Sequence, residues 1–136
     1  MDVLVQTDAM RRAIRAGLAG AVGEMLRKGA DPDALDDLGH APLHWAALDG
    51  DTSVMAVILA AGASVDARTG DGYTALHIAA SAGHLEACRR LLEAGADPGA
   101  LTPDGKTAAD IAAESGNDAV VALVRSWCPA DGAPAP

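Results

Sequence analysis

The chain has 136 residues, enough for one domain with a continuous core, and half of it is apolar although it holds no Phe, one Tyr and two Trp. Apolar material drawn from Ala, Leu, Val and Ile suits thin layers of closely packed helices, not one core built on large rings. The formal charge of −9 argues against nucleic acid as a partner, since phosphate binding needs an excess of Lys and Arg.

No run approaches the roughly 18 apolar residues that span a bilayer. Met1-Asp2-Val3-Leu4-Val5-Gln6 has neither a basic start nor a long apolar stretch of the kind a signal peptide carries. A cytoplasmic protein without a membrane partner is the expectation. Cys88 and Cys128 are read as two reduced thiols.

Compared with itself, the chain repeats. Gly17, Gly50, Gly83 and Gly116 recur every 33 residues, as do Gly29, Gly62 and Gly95, and Gly39, Gly72 and Gly105. Three glycine ladders with one period indicate stacked units. Taken in chain order, the first unit has a short helix around Met10-Arg11-Arg12-Ala13, with Asp8 at its N-cap. After Gly17 a second helix carries the apolar stripe Ala21, Val22, Met25 and Leu26 and ends at Gly29. An extended Asp31-Pro32-Asp33 loop then turns at Leu38-Gly39.

In the second unit Ala41-Pro42-Leu43-His44-Trp45-Ala46-Ala47 starts a helix, with Pro42 suited to its first position. Its second helix carries Val54, Met55, Ile58 and Leu59. The third unit matches through Thr74-Ala75-Leu76-His77-Ile78-Ala79-Ala80 and then Ala87, Cys88, Leu91 and Leu92, and the fourth through Thr107-Ala108-Ala109-Asp110-Ile111-Ala112-Ala113. Thr74 and Thr107 are natural N-caps. Turns are expected at Asp71-Gly72 and Asp104-Gly105.

From about Asp8 to Cys128 this pattern resembles the ankyrin repeat, in its period, its Leu-His-x-Ala signature and its loop glycines together. The resemblance implies an all-α solenoid of antiparallel helix pairs with projecting β-hairpin-like loops and a concave face. The units run 1–35, 36–68, 69–101 and 102–128, the outer two being caps, and 129–136 is a disordered tail. In the last cap Asp110 stands in the place of the motif His and Arg125 in that of Leu59 and Leu92. His44, His77, Thr74, Thr107, Gly50 and Gly83 are then structural motif residues, and His84 fixes a helix–helix turn.

Residues that suggest chemistry are largely absorbed by the repeat. His44 and His77 sit one repeat apart on helices about 8–10 Å apart, too far for each to lie about 2.1 Å from one zinc. Asp110 and Glu114 form an i, i+4 carboxylate pair, but nothing nearby separates their pKa values for acid–base work. Ser53, Ser64, Ser81, Ser115 and Ser126 lack a nucleophile context. No enzyme, cofactor or metal site is expected.

What remains is a surface for another protein. By the resemblance, contacts come from the loop tips (Asp37, Leu38 and His40; Gly70, Asp71 and Tyr73; Pro103, Asp104 and Lys106). They also come from the exposed helix ends (Arg15 and Ala16, Leu48 and Asp49, Ser81 and Ala82, Glu114 and Ser115). Tyr73 lies at the centre, and interfaces favour Tyr there. Exposed Leu38 and Leu48 point the same way. His40 is expected to project from its tip, Trp45 is read as core or contact, and Trp127 as a cover for the end of the core. The acidic tips suit a basic partner surface, and Arg11, Arg12 and Arg15 make the first unit locally basic, so the groove is expected to be graded in charge. The expected function is a protein-interaction module, monomeric when free; the alternative is a dedicated regulatory or inhibitory subunit of one enzyme.

Overall fold

The computed structural model describes residues 3–127, with side chains from Gln6 onward; Cys128 and the expected tail at 129–136 lie outside the described residues. The described chain forms eight helices: α1 (Val3–Arg15), α2 (Ala19–Arg27), α3 (Pro42–Asp49), α4 (Thr52–Ala60), α5 (Ala75–Ala82), α6 (Leu85–Glu93), α7 (Ala108–Glu114) and α8 (Asp118–Ser126). Consecutive helices pair, and the pairs stack in two layers. In one layer α1 packs on α3, α3 on α5 and α5 on α7; in the other α2 packs on α4, α4 on α6 and α6 on α8. No described helix is long and apolar enough to cross a membrane.

Each helix is too short to be stable in water alone, so packing of its apolar stripe holds it. In α6, Ala87, Cys88, Leu91 and Leu92 are all buried. The expected stripe of α2 is buried fully only at Val22, with Ala21, Met25 and Leu26 half-buried. The reason is its place at the end of the stack, with an outer-layer neighbour on one side only. Leu59 of α4 is half-buried as well. Arg125 is exposed on α8, and Trp127 packs partly buried against the core.

The helix starts follow from the motif. Thr74 Oγ1 accepts from the His77 amide at 3.3 Å, and Thr107 Oγ1 from that of Asp110 at 3.2 Å. Pro42 occupies the first turn of α3. Asp8 behaves differently from the expected N-cap. The chain is already helical at Val3, so Asp8 lies inside α1 and its carboxylate pairs with Arg11 and Arg12.

Turns between paired helices are locked from the next repeat. His84 Nε2 donates to the Leu48 carbonyl at 2.9 Å, and Asn117 Nδ2 donates to that of Ala80 at 2.9 Å. Gly50 ends α3 at φ +71°, and a Cβ there would lie 2.6 Å from the His84 ring. Gly83, at φ +77°, is similarly overlain by Asn117. The loops projecting before α3, α5 and α7 are closed by backbone bonds between Asp36 and His40, Thr69 and Tyr73, and Thr102 and Lys106. Only one bridge, Arg68 with Thr74, has β pairing, so among the described residues these hairpins are turns and not strands.

Gly50→Ala is expected to destabilise the fold by about 2 kcal/mol or more, combining left-handed strain with the His84 clash. Gly20→Ala, at a helical position with open space around it, is expected to stabilise by about 0.5 kcal/mol. Urea unfolding of the two variants checks both signs.

Candidate functional site

The inner-layer helices and the hairpins enclose a concave groove of about 520 Å³. Its floor is Ile78 and Ala82 of α5 with Ile111 of α7, its walls are Leu48 and Tyr73, and its rim carries Asp104, Lys106 and Glu114. Leu48 is 41% exposed although apolar. Lys106 and Glu114 form an ion pair across that rim, and the carboxylate beside Lys106 raises its pKa. The groove thus joins seven of the sequence-predicted contact residues, Leu48, Tyr73, Ser81, Ala82, Asp104, Lys106 and Glu114. Asp71 stands at the next hairpin tip, exposed and outside the groove lining.

Asp37, Leu38, His40 and Asp49, also predicted as contacts, belong to a different surface, between α1 and the first hairpin. Asp37 is paired with Arg11 at 3.0 Å, and Asp49 with Arg15 at 3.0 Å. Arg12 is paired with Asp8. The expected basic character of the first unit is therefore cancelled locally, since all three arginines face carboxylates. Leu38 is exposed at its tip but lines no part of the groove.

His40 does not project. It is half-buried, its ring standing edge-on to Trp45 with centroids 4.8 Å apart, and its buried Nδ1 makes no hydrogen bond. A half-buried ring held against an aromatic face gives up solvent for packing area. Trp45 is only 8% exposed, so it is a core residue. Arg11 and Arg15 lie over its ring, and its Nε1 donates to Asp36 Oδ2 at 2.6 Å. Burial works against charge on the Asp36 carboxylate. Hydrogen bonds from the His40 amide, Trp45 and the Leu38 amide, with the nearby Arg11 charge, outweigh it and hold Asp36 below the usual carboxylate range.

The motif histidines are held at both nitrogens. His44 Nδ1 accepts from the Ala41 amide at 2.9 Å, so Nε2 carries the proton and donates to the Ala67 carbonyl at 2.9 Å. His77 repeats this between the Thr74 amide at 3.0 Å and the Ala100 carbonyl at 2.8 Å. Burial lowers both pKa values, against the raising effect of those carbonyls. Asp110 keeps half of the pattern, accepting from the Thr107 amide at 3.0 Å, and that bond lowers its pKa. With Glu114 turned to Lys106, the two carboxylates do not act as a pair. Cys88 is buried, and desolvation pushes its thiol up to about 12, leaving it a small hydrophobe. Among the described residues no group of three or more His, Cys, Asp or Glu is placed to hold a metal.

A family model described as ankyrin repeats (3 copies) matches residues 10–102 and 58–131. The chain belongs to the ankyrin-repeat family. A search of curated proteins finds no match. Ankyrin repeats are generally protein–protein interaction modules, and the family is typically non-catalytic. In this ankyrin chain the apolar groove residues that the sequence did not single out are Ile78 and Ile111. Both occupy the variable place after the motif His or its substitute, in register with Trp45, so that ladder was the available signal. Asp36 was missed too, although it stands in register with Thr69 and Thr102, whose hydroxyls also accept hairpin amides.

Because His44 and His77 fold as neutral rings with lowered pKa values, protonation favours the unfolded chain. Stability should be full above about pH 6.5 and fall as pH drops below it, by at most about 1.4 kcal/mol per pH unit for each ring. Chemical unfolding between pH 7.5 and 5.5 is expected to show this slope, and His77→Asn, weaker at pH 7.5, is expected to show a shallower one.

Proposed function

We propose that this ankyrin-repeat chain is a non-catalytic module that holds a partner protein in the groove around Tyr73. The observation that carries the reading is the convergence of Leu48, Tyr73, Ile78 and Ile111 in one uncovered concavity. Buried ring and aliphatic area at the centre of a patch supplies most of the energy of an interface, with the polar rim giving orientation. Binding needs no cofactor in this reading, and the free protein is a cytoplasmic monomer.

The rim favours a partner with a basic surface. Asp71 and Asp104 stand one repeat apart at successive tips and make no ion pair among the described residues. Lys106, the cation of the groove rim, is already neutralised by Glu114. Complementary charge at such a rim steers encounter and adds salt dependence.

Affinity capture with the intact chain, followed by titration of the recovered partner, tests this reading. Tyr73→Ala with Leu48→Ala is expected to cost about 2 kcal/mol or more, roughly thirty-fold in affinity. Leu38→Ala, outside the groove, is expected to leave affinity unchanged. Asp71→Asn with Asp104→Asn is expected to flatten the salt dependence. A partner held equally well by the Tyr73 and Leu48 variant places the interface elsewhere.

A further inference from the structure

We infer that the first helix pair carries a second binding site, a cavity that accepts one small aromatic ring bearing an N–H or O–H donor, of the azole or phenol class. The argument starts from register. Arg11 stands 33 residues before His44, and Ala34 stands 33 before Ala67. In the second and third units an imidazole fills the space between the first helix and the following loop, and donates to the carbonyl of Ala67 or Ala100. In the first unit that imidazole is replaced by a longer cation.

The cation does not fill the vacated place. The Arg11 guanidinium is held instead by Asp8, Asp36 and Asp37. Beside it lies a cavity of about 160 Å³ with an apolar wall of Met10, Ile14, Pro42 and Trp45 and a polar one that includes Asp31, Asp36 and His40. An apolar cavity of about 150 Å³ is large enough to hold a benzene ring. The apolar residues and the indole of Trp45 favour an aromatic ring by contact area and geometry. Ala34 stands in the register place of the two carbonyls that accept from the motif imidazoles, which selects a ring with a donor. Arg11 is engaged by three carboxylates and Asp31, also on the lining, makes no ion pair among the described residues, so the cavity disfavours an anionic ring and offers a further acceptor to a ring donor. The site shares no lining residue with the groove around Tyr73.

The test uses the full chain with Trp127→Phe, which leaves Trp45 as the one tryptophan, and 4-methylimidazole as probe at about pH 8.5, where the ring is neutral. The expected result is a saturable change in Trp45 emission, with amide shifts in nitrogen-15 spectra confined to Ala34, Asp36 and their neighbours. Arg11→His, which restores the repeat's own imidazole, is expected to weaken probe binding at least about ten-fold while raising the melting temperature. Ala34→Leu, filling the cavity from the opposite wall, gives a second variant should Arg11→His fold poorly. A linear, non-saturating emission change overturns the proposal. So do shifts centred on Tyr73 and Ile111, or unchanged affinity in a folded filled variant.

Discussion

The hydrogen-bonded imidazole of the repeat is the interaction on which the rest of the structure depends. At His44 and His77 a single ring accepts from the amide that opens its helix and donates to the loop that leads to the next unit. The first bond is buried and the second part-buried, so removal of the ring leaves a buried donor without a partner, which costs more than a lost exposed bond. The arrangement also fixes one tautomer and keeps the ring neutral. A scaffold of short helices gains from this a rigid link between helix and loop that apolar packing alone, being non-directional, does not supply.

The two ends of the stack replace that ring in different ways, and the difference shapes the surface. Asp110 keeps the half of the pattern that satisfies the helix start, so the last pair remains capped. Arg11 keeps neither half. Its charge turns to the carboxylates around the first hairpin, where Arg15 also pairs with Asp49 and both cations cover the Trp45 ring. Ion pairs and cation–π contacts thus close the N-terminal part of the concave face. Farther along, Ile78 and Ile111 take the register place of Trp45 with no arginine over them, and the face stays open.

The helix pairs, the turn glycines, the Thr caps and the role of the motif histidines were legible in the sequence, because each depends on residues a few positions apart that recur with the period. The start of α1 was not. Asp8 has the chemistry of a cap, but the preceding residues continue the helix and leave its carboxylate to the arginines one turn on. Seven of the proposed contacts, Leu48, Tyr73, Ser81, Ala82, Asp104, Lys106 and Glu114, line one groove. Asp37 and Asp49 do not join them, because the partners that engage them lie 26 and 34 positions earlier in the chain, at Arg11 and Arg15.

The sequence by itself determined that this chain is a stack of helix pairs, since the period repeats the same apolar stripe and turn glycines from unit to unit. It also determined that the surface is acidic, since charge is composition. Only the tertiary structure decided where that surface is open. Whether an acidic tip is free or already paired, whether His40 projects or packs on Trp45, and whether Arg11 fills the imidazole's place or leaves it empty all turn on side chains from adjacent units competing for the same space. That competition is settled by distance and burial in three dimensions, and a period of 33 residues carries no record of it.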